Sequence, residues 1–285
     1  MQVLEKTAQT LKRNIHLLIF INLIFAATTF SLLYFTGKKI QEYVLAIYAY
    51  APQLQELESV LSEDVSITDL NKLNESLAVI NQSYRMVFIV TIASIIAFFL
   101  IWCFFQSVEW RITYSSLKKK IGLEDVFENY WKYTLNFSII TIPALLILFP
   151  SFYYLVAQVK ALFLNLIIKL YGISEAAPET SYTLIALLFA IVLFTSYFTI
   201  IAYVMLNKYK LWGSIKRSFK TGIKRFRVLL PIHLSCLLII IPILYLDSYI
   251  TRLIDFKAAA IMSILIYFAI LAFYQNLMVV LLEKE

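Results

Sequence analysis

The chain has 285 residues, 61% of them hydrophobic and 15% charged, with a mean hydropathy of +0.79. Soluble domains are nearer half apolar and about a quarter charged, so the composition excludes an ordinary water-soluble globule and a disordered chain alike. A net charge of +7 would by itself suggest an acidic partner, but the positions of the cations assign it first to membrane topology.

A helix crossing the hydrocarbon core needs about 20 mostly apolar residues. Six stretches meet that length, near 15–35, 86–107, 135–157, 182–206, 228–246 and 258–282, and none contains Asp, Glu, Lys or Arg. The first follows Lys12 and Arg13, as a signal peptide would. It exceeds the usual apolar region of about 7 to 15 residues, and no small-residue cleavage pattern follows, so it is read as a retained helix.

Residues 36–85 form the longest connection. Ile40, Val44, Ile47 and Tyr48 continue the first helix outward; Pro52 is read as an interruption; Leu54, Leu57 and Leu61 resume the three-to-four spacing. Past an acidic turn at 62–66, Thr68 is an N-cap candidate, and Leu70, Leu73, Leu77 and Ile80 make one stripe into the second span. The expectation is an extracytoplasmic helical hairpin of net negative charge. Asn74 and Asn81 each begin an Asn-x-Ser pattern on one face of it, which reads either as glycosylation or as chance.

After the second span, 108–134 holds an amphipathic stretch whose apolar stripe is Leu123, Val126, Phe127, Tyr130 and Trp131, with Glu124, Asp125 and Glu128 beside it. The counterpart after the fourth span runs from Lys208 to Pro231, with eight Lys or Arg and no acid. On a helical wheel Trp212, Ile215, Phe219, Ile223 and Phe226 share one face, and Lys216, Arg217, Lys220, Lys224 and Arg227 lie next to them. Such a helix suits the inner headgroup layer, with aromatics toward the acyl chains and cations over anionic lipid. A nucleic-acid arm would not need the aromatic stripe, whereas docking of a protein partner stays open. Matching the two stretches at a shift of 92 residues aligns 123–154 with 215–246 and pairs Pro150 with Pro242 and Tyr153 with Tyr245. The pattern of a parallel repeat results, alternatively of convergent membrane patterning. The same shift sets Glu124, Asp125 and Glu128 against Lys216, Arg217 and Lys220, which suggests ion pairs between the two surface helices, or separate solvation of each.

Seventeen of the 25 Lys and Arg fall in the N-terminus, 108–134, 207–227 and the C-terminus. Cationic connections stay on the cytoplasmic side, so both termini are expected there, in a plasma-membrane protein. The expected fold is all-α: six transmembrane helices, two cytoplasmic interfacial amphipathic helices and the outer hairpin.

Chemistry is sparse. No Gly-rich phosphate loop, H-E-x-x-H or G-x-S-x-G occurs, so neither cofactor nor catalytic residue is assigned. Cys103, His233 and Cys236 are too dispersed to define a metal site without a C-x-x-C spacing. Asn22, Asn136, His233 and Asn276 could instead line a small polar cavity or hydrogen-bond between helices. The sequence SIKRSFKTGIKRFRVLLP and the Leu and Ile run after it resemble helix-into-span units of prokaryotic, especially archaeal, six-span membrane proteins, and distantly the membrane domain of some glycerophosphodiester phosphodiesterases. That resemblance covers about 123–246 and includes no catalytic motif, so no activity is carried over. Two function classes remain: a non-enzymatic scaffold or assembly subunit with partner surfaces at the outer hairpin or inner helices, and a transport or permease subunit relying on a separate energising partner.

Overall fold

A computed structural model describes residues 2–60, 67–117, 130–171, 181–253 and 256–283. Seven helices account for them: α1 (Gln2–Val60), α2 (Ile67–Ser115), α3 (Tyr130–Tyr171), α4 (Tyr182–Leu206), α5 (Leu211–Lys224), α6 (Phe226–Leu253) and α7 (Phe256–Leu282). No strand occurs among the described residues.

Four of these helices are long and apolar enough to cross a membrane, over Gln2–Tyr50, Asn71–Ser115, Tyr130–Asn165 and Tyr182–Leu206; shorter apolar stretches are Phe226–Ile239 and Phe268–Leu282. In their most apolar windows only 17% of residues are buried in α1, α3 and α4, and 6% in α2. Apolar surface held outward at that density would oppose folding in water by about 25 cal/mol per Å², so the solvent these faces suit is hydrocarbon. The chain is a membrane-embedded helical protein.

The chain divides into two compact units, 20–105 and 1–19 with 106–285. The first is an antiparallel pair of long helices. Phe25 meets Phe105 at 5.5 Å between ring centroids, and the Thr36 and Ser94 hydroxyls are 2.7 Å apart, two contacts of one register. From Phe20 to Val60 the helix runs about 60 Å at 1.5 Å per residue. Pro52 does not interrupt it: only Asn14 leaves helical φ/ψ in α1, with φ −131° and ψ 18°. Proline already has a helix-like φ and forfeits one N–H, which a long helix can absorb.

In the second unit α4 is the hub, packed against α3, α5, α6 and α7. Its last turns, Ile201 to Leu206, are all buried, as are Val108, Trp110 and Ile112 of α2 and Leu277 to Val280 of α7. Tyr203 organises this core: its ring stacks on Phe137 at 4.1 Å, Trp110 lies 5.8 Å away, and its hydroxyl meets that of Thr141 at 2.8 Å. By contrast Leu146, Phe149 and Tyr153 on α3 are exposed, so the core occupies one end of the bundle and the other end faces outward.

Candidate functional site

The basic stretch forms α5, followed without a loop by α6. The start follows from Lys210, extended at φ −66° and ψ 162°, and the end from Arg225, which leaves helical geometry at φ −108° and ψ 20°. Three faces result. Ser214, Ser218, Thr221 and Gly222 are buried on one. This small-residue face brings α5 close to α4: the Tyr197 hydroxyl donates to the Gly222 carbonyl at 2.9 Å, and a Cβ on Gly222 would stand 2.6 Å from Phe198 Cε1. Trp212, Phe219 and Ile223 lie on an outward apolar face, Trp212 being 79% exposed. Phe219 rests on Phe198 at 4.6 Å, and Phe226 stacks on Phe194 at 6.0 Å. Lys216, Arg217, Lys220, Lys224 and Arg227 are exposed beside that face.

The eight cations of this stretch are not equivalent. Lys208 Nζ donates to the carbonyls of Leu282 and Glu283 at 3.0 and 2.8 Å, and Arg225 Nη1 donates to Leu281 O at 2.7 Å. Both therefore satisfy the C-terminal carbonyls of α7, where the helix dipole is negative. Arg13 does the same for α2, donating to Ser116 O and Leu117 O at 3.2 Å each. Arg217 sits over the Tyr209 ring at 5.0 Å. Lys216, Lys220, Lys224 and Arg227 make no hydrogen bond or ion pair among the described residues. Glu124, Asp125 and Glu128, the expected acidic counterparts of Lys216, Arg217 and Lys220, lie outside the described residues.

Between α3, α4 and α5 runs a groove of about 450 Å³, with Ile140, Pro143 and Ile147 on one wall, Phe198 on the second and Ile215 and Phe219 on the third. The hydroxyls of Thr199 and Ser218 also border it, but each is returned to its own helix, Thr199 to Thr195 O and Ser218 to Ile215 O, both at 2.7 Å. The groove surface is thus mostly apolar, with Thr195 as a further polar residue on it.

No family model, no curated protein and no solved structure matches the chain. The arrangement of its own residues therefore carries the functional argument.

The intramembrane polar residues singled out in the sequence have separate surroundings. His233 is 1% exposed, its Nε2 2.8 Å from Ser196 Oγ and its Nδ1 hydrogen-bonded to the Tyr274 hydroxyl, so it ties α4, α6 and α7 together. Asn276 is fully buried and donates to Ala272 O at 2.7 Å on its own helix. Asn136 is half-buried on α3, and Asn22 belongs to the two-helix unit. Neither Asn136, His233 nor Asn276 borders the groove. Neither Cys103 nor Cys236 is in a disulfide, and no cluster of three or more His, Cys, Asp or Glu able to hold a metal occurs among the described residues.

A polar cluster the sequence reading overlooked centres on Glu109, which is 2% exposed. Gln106 Nε2 donates to Glu109 Oε2 at 3.0 Å, and Gln275 Nε2 reaches Gln106 Oε1 at 3.2 Å and Glu109 Oε2 at 3.4 Å. Ser107 adds contacts of 3.1 Å to the Tyr130 hydroxyl and 2.9 Å to that of Thr134. Counting 108–134 as a connection hid this carboxylate, because α2 continues to Ser115. The available signal was Gln106 and Glu109 three apart on one helical face, with the adjacent amides Gln275 and Asn276 in the last apolar stretch.

Proposed function

We propose that the chain is a six-span plasma-membrane protein with cytoplasmic termini that acts as a non-enzymatic scaffold or assembly subunit. The observation that carries the reading is where the polar side chains go. His233, Thr141, Ser107, Gln106 and Gln275 join one helix to another, and the groove that remains has apolar walls. A bundle arranged this way holds a shape and offers surfaces, and its groove presents few polar groups for turnover. Two surfaces suit partners. The helix pair from Phe20 to Val60, about 60 Å long, exceeds the hydrocarbon thickness of about 30 Å and supports an outer projection. The exposed aromatic and cationic faces of α5 support contact with anionic headgroups at the inner surface.

Affinity purification from native membranes tests it. A scaffold is expected to retain a defined protein partner, and to lose it when 45–80 is replaced by a short linker or when α5 cations are neutralised. Purification of the chain alone, in one oligomeric form, under both mild crosslinking and gentle detergent, contradicts the reading. The alternative, a transport subunit with a separate energising partner, is favoured by the buried Glu109 cluster, since ionisable groups within membrane bundles commonly mark ion or proton paths. Co-purification of an ATPase, with flux that Glu109→Gln abolishes, would select it.

A further inference from the structure

The groove between α3, α4 and α5 lies beside cations that no described residue engages, and together they fit one kind of molecule. We propose that it binds an anionic phospholipid of the inner leaflet, one acyl chain lying in the groove and the phosphate held by Lys216 and Lys220. This rests on the reading above that α5 lies at the inner membrane surface.

Dimensions support a single chain. On α4 the groove is bordered from Phe194 to Ala202, which begins about 6 Å from the Leu206 end and continues about 12 Å along the helix at 1.5 Å per residue. One leaflet contributes about 15 Å of hydrocarbon, half the core thickness. A volume of about 450 Å³ is within the range of pockets that take one small molecule. The chemistry of the walls agrees, because they are mostly aliphatic and aromatic, and two of the three hydroxyl residues on them, Thr199 and Ser218, return their hydroxyls to their own backbone. The third wall is preformed: Gly222 and the Tyr197 hydroxyl hold α5 against α4.

Charge supplies the choice of headgroup. Ile215 and Phe219 form the α5 wall, and Lys216 and Lys220 follow them in sequence, about 100° further round the helix. Both lysines are exposed and make no hydrogen bond or ion pair among the described residues. The helix that supplies the third wall thus also supplies two unengaged ammonium groups for the phosphate of a lipid whose chain enters the groove.

The test uses full-length protein, delipidated in detergent and re-equilibrated with micelles containing phosphatidylglycerol or phosphatidylcholine of identical chains, with bound lipid counted by native mass spectrometry. Retention of phosphatidylglycerol in preference to phosphatidylcholine is expected. Lys216→Gln with Lys220→Gln should reduce that preference about thirtyfold, about fivefold for each cation, and Lys224→Gln with Arg227→Gln should reduce it far less. Thr195→Trp from α4, and separately Ile139→Trp from α3, should displace the lipid by filling the groove; two walls guard against one variant that does not fold. Equal retention of the two lipids, undiminished retention in both tryptophan variants, or equal effects of the two lysine and arginine pairs would overturn the proposal. The last outcome would mean general attraction to a basic surface. Labelling of Lys220→Cys, in a Cys103→Ser and Cys236→Ser background, from each side of sealed vesicles separates the two levels: reaction only from outside refutes the inner-surface reading, whereas reaction from inside, with no lipid retained by the protein that keeps Lys220, refutes this site alone.

Discussion

Replacing Gly222 by alanine should weaken the protein, and replacing Gly213 by alanine on the same helix should not. At Gly222 the added carbon would stand 2.6 Å from Phe198 Cε1, 3.0 Å from Cδ1 and 3.2 Å from Ile201 Cδ1. Ordinary contact begins near 3.4 Å, so the ring must retreat by about 0.8 Å in a close-packed setting. It is backed by Phe219 at 4.6 Å. Overpacking of this kind costs about 1–3 kcal/mol, and alanine's better helix propensity offsets about 0.5–1 kcal/mol of it. The net expectation is a loss of about 0.5–2 kcal/mol, or a few degrees in melting temperature for a chain of this size. At Gly213 the nearest atom, Tyr209 Cβ, is at 3.4 Å, so only the propensity gain remains, up to about 0.5 kcal/mol in this first turn. Thermal unfolding in detergent, followed by intrinsic fluorescence, reads both. Introducing Gly222→Ala into a Phe198→Leu background should cost little, because the obstructing ring is gone. Shifts of the same sign at the two glycines, or an undiminished loss in the Phe198→Leu background, would refute the argument that α5 is seated by its small face.

Two further expectations concern groups that hold the second unit together. Lys208→Gln and Arg225→Gln should each lower detergent stability by about 1–2 kcal/mol, because they uncover the terminal carbonyls of α7, whereas Lys224→Gln should leave the melting temperature within about half a kilocalorie of wild type. At the buried cluster, Glu109→Gln keeps an acceptor for Gln106 and Gln275 and should change stability by less than about 1 kcal/mol. Glu109→Leu strands the Gln106 amide, while Gln275 keeps Gln106 Oε1, and should cost about 1–3 kcal/mol. Equal losses for the two Glu109 substitutions would show that packing, and not hydrogen bonding, sets the cluster's contribution.

Much of the helix layout was legible because hydrophobicity is a local property. The fourth apolar stretch, 182–206, is α4 residue for residue, whereas the basic helix was expected to run on to Phe226 and Arg227, which α6 carries after the turn at Arg225. Boundaries beside mixed composition were less legible. Glu109 was placed in a connection because one carboxylate ends an apolar run, yet helix hydrogen bonding does not stop at a charge, and α2 carries it into the core. Pro52 was read as a break for a similar reason. Most of the basic stretch is helical, in α5, but its buried face of Ser214, Ser218, Thr221 and Gly222 carries no hydropathy signal at all.

What the sequence determined alone is the solvent and the helical state: 61% apolar residues in long uncharged runs have no stable arrangement in water, and backbone groups in hydrocarbon must bond within their own helix. What only the tertiary structure decided is the use of individual polar groups. Lys208 and Arg225 cap α7 while Lys216 and Lys220 remain exposed, although all four are cations of one short stretch. That division depends on which carbonyl or cavity a neighbouring helix brings near, a through-space relation between residues as far apart as Lys208 and Leu282. Periodicity along one helix describes a face; it cannot say what that face meets.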